Sequence, residues 1–128
     1  HFFISVRTGC TELLAEAAEL CEVIVWTASR AEYANPIIHF LDEGRCITHR
    51  LYQQQCLKNA TGAPKDISKL GRDVQRLVVV DDDPATYALN PDNAIPVTSW
   101  WGILQTKNSR LERIFFERCV ESWTSPSS

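Results

Sequence analysis

The chain has 128 residues, which bounds it to one ordinary domain with one core. Its formal net charge of −3 excludes a global basic footprint for nucleic acid or an anionic membrane, so a phosphorylated partner would need a local basic pocket. Five widely spaced cysteines, odd in number and without a CxxC pair, argue against a disulfide framework or a thiolate metal site and for reduced thiols.

In chain order, residues 2–6 alternate weakly and read as a short strand. Thr8 or Thr11 is then placed to open a helix carrying Leu13, Leu14, Ala17, Ala18 and Cys21 at helical spacing. Residues 22–27 form an apolar run of strand length, as expected for a parallel strand buried on both faces. Ser29 is a candidate cap for a second helix with Tyr33, Ile37, Ile38 and Leu41 on one face, and Pro36 is placed for a kink or a restart. Residues 42–64 are less regular, with a strand candidate at 47–52 and a loop at 61–64.

One helical turn is expected over 66–70 before Gly71, and a second buried strand over 76–80 runs into Asp81-Asp82-Asp83-Pro84. Pro84 is placed to start a short helix reaching Leu89. A last strand at 94–97 and an amphipathic helix at 110–123 follow, and the polar residues 124–128 read as a disordered tail. No apolar run approaches the roughly 20 residues of a bilayer span. The chain holds no methionine and starts at His1, so it is expected to be a fragment, a processed form or a trimmed piece.

Strands alternating with helices imply an α/β fold with a parallel sheet, whose chemistry gathers at the carboxyl ends of the strands. Two places qualify: Thr27-Ala28-Ser29 and Asp81-Asp82-Asp83. Three adjacent carboxylates repel one another unless a cation is near, and hard oxygens suit Mg²⁺; an acidic turn capping the Pro84 helix is the plain alternative. Lys65 could put a point charge on a phosphate or be solvated surface. Thr27 could bind a phosphoryl oxygen or simply end its strand, and Arg50 could hold a phosphate or carboxylate in bidentate fashion. His1, His39 and His49 show no ligand spacing, and no Gly-rich phosphate loop, GxSxG or HExxH occurs.

One family resemblance gathers these pieces. Val25-Trp26-Thr27-Ala28-Ser29, Glu32-Tyr33-Ala34 and Arg50-Leu51-Tyr52 with Cys56 are its first segments. Lys65-Asp66-Ile67-Ser68-Lys69-Leu70-Gly71-Arg72-Asp73 and Val78-Val79-Val80-Asp81-Asp82-Asp83-Pro84 follow. Asn90-Pro91-Asp92-Asn93-Ala94-Ile95-Pro96-Val97 and Ser99-Trp100 close the series. In that order they resemble the catalytic domain of the C-terminal-domain phosphatases of RNA polymerase II. These are the small-phosphatase and NLI-interacting-factor-like branch of the haloacid dehalogenase superfamily.

The resemblance implies a Rossmannoid parallel sheet flanked by helices over residues 1–123. It also implies a Mg²⁺-dependent serine/threonine protein phosphatase working through an aspartyl-phosphate. Thr27 would bind the transferring phosphoryl group and Lys65 would neutralise its oxygens. Asp81 and Asp82 would hold Mg²⁺, with many relatives carrying Asn at the second place. Arg50 and Ser29 would lie at the substrate site. The partner would be a phosphoserine or phosphothreonine protein, with no direct nucleic acid and no membrane within this chain, in the nucleus or cytoplasm.

The family's first motif, Asp-x-Asp-x-Thr on the central strand, is absent from these 128 residues: no aspartate precedes Asp42. The chain by itself is therefore expected to be inactive, to bind Mg²⁺ weakly or not at all, and to need that strand from an upstream segment or a second chain. Thr8 where relatives have proline and Gln53-Gln54-Gln55 where a charged stretch is common are smaller departures. The competing reading is a peptide-binding domain resembling the presequence receptor of the mitochondrial inner-membrane translocase. That branch tends to lose the Thr-Ala-Ser motif, which is intact in this chain.

Overall fold

A computed structural model describes residues 6–58 and 62–99. They fall into two compact units, one within His1–Gln55 and one within Cys56–Ser99. The expected strand at 2–6 and the terminal helix and tail lie outside the described residues.

In the first unit, helix α1 (Cys10–Leu20) starts from Gly9, which takes φ 90° and caps without a side chain. Neither threonine caps it. The turn closes through backbone bonds, Cys10 N to Arg7 O at 3.1 Å and Leu13 N to Gly9 O at 2.9 Å, and the Thr11 hydroxyl donates to Glu12 instead. Ala17 is buried and Leu13 and Leu14 half-buried, while Ala18 and Cys21 are exposed, so the inward stripe is narrower than the expected one. Strand β1 (Val23–Trp26) is half-buried throughout, not enclosed on both faces. Among the described residues its only ladder partner is the parallel strand β2 (Ile47–Leu51).

Between them runs helix α2 (Ala31–Leu41), which keeps Pro36 inside it. Its N-cap is Arg30, not Ser29. Ala34 and Ile38 are buried and Ile37 and Leu41 half-buried, but Tyr33 is 63% exposed and leaves the expected face. The α2–β2 connection is closed by the Asp42 carboxylate, which accepts the amides of Cys46 (2.6 Å) and Ile47 (3.2 Å). The β1–β2 register slips between Val23 and Ile24, so Val23 faces Ile47 while Ile24 faces His49. Thr48 is the extra residue of this bulge, and its hydroxyl donates to Val23 O at 2.8 Å. Beyond the slip, Val25 faces Arg50 and Trp26 faces Leu51, which brings the carboxyl ends of both strands to one edge.

In the second unit, the expected turn before Gly71 is a 3-10 turn, Ile67–Leu70, capped by Asp66 and ended by Gly71 at φ 71°. A second such turn, Val74–Arg76, occupies the start of what the apolar run suggested as a strand. Asp73 caps it, and Asn93 Nδ2 donates to the carbonyls of Val74 and Leu77. Strand β3 is therefore short and late, Val79–Asp81, paired in parallel with β4 (Ala94–Pro96). Pro84 starts no helix: residues 84–89 are turns, and a 3-10 turn at Pro91–Asn93 leads into β4. Cys56, Ile67 and Ile95 are buried in this unit, with Thr86 as a buried polar residue. Short parallel strand pairs with helices and turns make an α/β chain.

Candidate active site

Asp81 is the last residue of β3, and its backbone carbonyl accepts the Val97 amide at 3.1 Å, fixing it beside the end of β4. Its carboxylate is held from two sides. Lys65 Nζ donates to Oδ2 at 2.7 Å, and the Asp83 amide donates to Oδ1 at 3.0 Å. The two side chains are 11% and 12% exposed, so this is a nearly buried ion pair, unlike a solvated surface one. Burial pushes the Asp81 carboxyl up, but the Lys65 hydrogen bond, the Asp83 amide, the Thr86 hydroxyl and the Lys65 charge together hold it below its ordinary value. It is a carboxylate kept ionised by neighbours.

The loop before Lys65 explains how that lysine arrives. Gly62 takes φ 81° and Ala63 φ 48°, two left-handed residues in succession. A Cβ on Gly62 would lie 2.2 Å from Ala85 Cβ, so only glycine lets the loop lie this close to the turn after Asp83. Pro64 O accepts the Leu57 amide at 2.9 Å, and the Lys65 amide donates to Thr86 O at 2.8 Å. The peptide unit leading into the charged residue is thus pinned at both its carbonyl and its amide.

Asp82 is exposed, and its carboxylate takes no part in the Lys65–Asp81 pair. Asp83 instead organises the turn: its carboxylate accepts the Ala85 amide at 3.0 Å, and its carbonyl accepts the amide and the hydroxyl of Thr86. For Mg²⁺, Asp81 and Asp82 offer the right kind of donor, hard carboxylate oxygens. They do not suffice in number, since no group of three or more His, Cys, Asp or Glu among the described residues could hold a metal.

In the first unit, Thr27 follows β1 and both ends the strand and shapes the turn. Its amide continues the ladder to Leu51 O at 3.0 Å, and its hydroxyl accepts the Ser29 amide at 3.0 Å. Ser29 is exposed, and its carbonyl accepts the Gln53 amide at 3.0 Å. Arg50 is half-buried and donates from Nη1 to Asn35 Oδ1 at 3.1 Å. The Tyr52 hydroxyl donates to the same oxygen.

Lys65 and Asp81 are therefore brought together, as are Thr27 and Ser29, whereas Arg50 turns to a residue of α2. The motif reading missed Asn35 and Thr86. An Asn is disfavoured inside a helix unless its side chain has a partner elsewhere, which was a usable signal for the first. Nothing in the sequence marked the second.

The family model for NLI interacting factor-like phosphatase matches residues 1–121. The chain is 40% identical over 99 residues to a probable C-terminal domain small phosphatase of Dictyostelium discoideum, covering 77% of this chain and 32% of that protein. It is 38% identical to the human carboxy-terminal domain RNA polymerase II polypeptide A small phosphatase 1, over 77% of this chain and 38% of that protein. The human CTD small phosphatase-like protein is 35% identical over 90% of this chain and 42% of its own length. The chain thus spans well under half the length of these curated relatives. With the whole ordered series of motifs inside the matched span, the chain belongs to the NLI interacting factor-like phosphatase family.

Proposed function

We propose that these residues form most of a Mg²⁺-dependent phosphoserine/phosphothreonine protein phosphatase domain that uses an aspartyl-phosphate. The supporting observation is the Lys65–Asp81 pair, a nearly buried ammonium and a carboxylate held ionised at the carboxyl end of a parallel strand. Phosphoryl transfer is driven by placing fixed positive charge against the phosphoryl oxygens, so a pre-positioned lysine is the part the protein must supply. An ammonium has three donors, and the bond to Asp81 uses one.

Thr27 would direct its hydroxyl proton to a phosphoryl oxygen while its oxygen keeps the Ser29 amide bond. Arg50, with Ser29, would meet the phosphorylated peptide. Asp81 and Asp82 would hold Mg²⁺ with further oxygen ligands. When bound, that ion supplies charge neutralisation at the transferring group. The nucleophile and the general acid–base would come from an Asp-x-Asp-x-Thr segment outside these 128 residues, which by themselves would be inactive. The phosphoprotein substrate and a nuclear or cytoplasmic setting are part of this proposal; one relative is named for the RNA polymerase II C-terminal domain.

The test is the full-length protein assayed on a phosphoserine peptide with and without Mg²⁺. Mg²⁺-dependent turnover that falls about 100-fold or more in Lys65→Ala and Asp81→Asn is the expected result. Turnover indifferent to both substitutions would refute it. A folded protein with no turnover leaves a peptide-binding domain.

A further inference from the structure

Thr86 stands out among the described residues as the buried polar one, 6% exposed. Its amide and hydroxyl both donate to Asp83 O, at 3.0 and 2.8 Å, and its carbonyl accepts the Lys65 amide at 2.8 Å. Asp83 in turn donates its amide to Asp81 Oδ1, and Asp81 Oδ2 takes Lys65 Nζ. These bonds close a ring that runs from the Lys65 backbone through Thr86, Asp83 and Asp81 and back through the Lys65 side chain.

Asp83 O is already satisfied by the Thr86 amide, so the hydroxyl is not needed to rescue an orphaned carbonyl. What it adds is a second tie on the turn that also carries the Asp83 amide to Asp81. A methyl-bearing filler of equal size would keep the packing and lose that tie. We propose that Thr86 is a positioning residue whose hydroxyl sets the register between Lys65 and Asp81. This inference rests on the reading of those two residues as phosphatase groups.

The experiment uses the full-length protein as wild type, Thr86→Val, Thr86→Ser, Thr86→Ala and Lys65→Ala. It measures kcat and KM on a phosphoserine peptide with Mg²⁺, the melting temperature, and the rate at which Lys65 is acetylated by an activated ester, read by peptide mapping. Thr86→Val is expected to lower kcat about 30-fold, as small misplacements of a reacting group do, with KM changed less than about twofold. Lys65 acetylation should speed up several-fold as its pairing loosens, and the melting point should fall by only about 3 °C. Thr86→Ser should recover kcat and slow acetylation.

The Ser and Ala variants differ only in the hydroxyl and carry the same comparison should the Val variant not fold. Wild-type kcat and acetylation in the hydroxyl-free variants, or equal damage in Thr86→Ser and Thr86→Ala, overturns the proposal. Lys65→Ala separates the two layers. Its loss of turnover beside an unaffected Thr86→Val sinks only the role of Thr86, whereas full turnover in Lys65→Ala sinks the reading of the site itself. The acetylation rate still reports on the Thr86 hydroxyl when the peptide is not turned over.

Discussion

Removing the Lys65 charge is the sharpest test of the site's energetics. At 2.7 Å and an effective dielectric near 20, the gross attraction in the pair is about 6 kcal/mol. Most of it offsets desolvation, since both side chains are only 11–12% exposed. The informative quantity is therefore the coupling. Lys65→Met keeps the stem and strands a nearly buried carboxylate, so it should cost about 3 kcal/mol. Asp81→Asn strands the ammonium and should cost a similar amount.

The double variant leaves no unpaired charge and should lose about 2 kcal/mol less than the two single losses combined. Urea unfolding of the protein followed by tryptophan fluorescence measures all four corners of the cycle. Coupling below about 0.5 kcal/mol would mean the pair behaves as a solvated surface bridge and would refute the reasoning. The acid limb adds a sign. Because Asp81 titrates below its ordinary value when folded, its contribution is present above about pH 3.9 and is lost as pH falls through the folded value. In Lys65→Met burial meets only the Asp83 and Thr86 bonds, so the carboxyl moves up and acid unfolding begins at higher pH.

Two further perturbations probe how the groups are held. Gly62→Ala meets both a left-handed φ of 81° and a 2.2 Å approach to Ala85, whereas Gly71→Ala has φ 71° and open space. The second should cost about 1 kcal/mol and the first about 3 kcal/mol, with kcat falling only in the first because Lys65 lies three residues on. Equal melting points for the two would show that the Gly62 loop gives way freely. Asn35→Ala removes the acceptor shared by Arg50 and Tyr52. It should raise KM for a phosphopeptide about fivefold with little change in kcat, and a loss confined to kcat would argue against Arg50 as a substrate group.

Parallel pairing, the two strand ends that carry polar residues, and the 3-10 turn before Gly71 were legible because each has a local signal: a β-branched run, an acidic cap, a glycine stop. The helix starts were less legible. Thr8, Thr11 and Ser29 are good cap residues by type, yet Gly9 and Arg30 occupy the cap positions because backbone turns close the first loop and Ser29 is engaged with Thr27 and Gln53. Pro84 misled for a related reason. Asp83 spends its carboxylate and carbonyl on a compact turn, which competes with helix for the same donors. The β3 boundary moved because Asp73 nucleates a 3-10 turn through Arg76, a capping signal that an apolar run hides. Thr86 and Asn35 act through contacts to residues distant in sequence or across a turn, and no spacing rule encodes such contacts.

The ring of bonds around Asp81 would suit the ion pair to the proposed role of receiving a phosphate. A lysine bound only to a carboxylate is neutralised, and drawing it toward an arriving anion would leave a bare buried charge behind. At Asp81 the carboxylate retains the Asp83 amide, which is fixed to the turn. This donor steadies Asp81 while its cation shifts, so under the proposed role sharing Lys65 with a phosphoryl oxygen would cost less than breaking an isolated buried pair. The lysine can then be positioned in advance by its counter-ion without being trapped by it, and preorganised charge of this kind is what lowers a phosphoryl-transfer barrier.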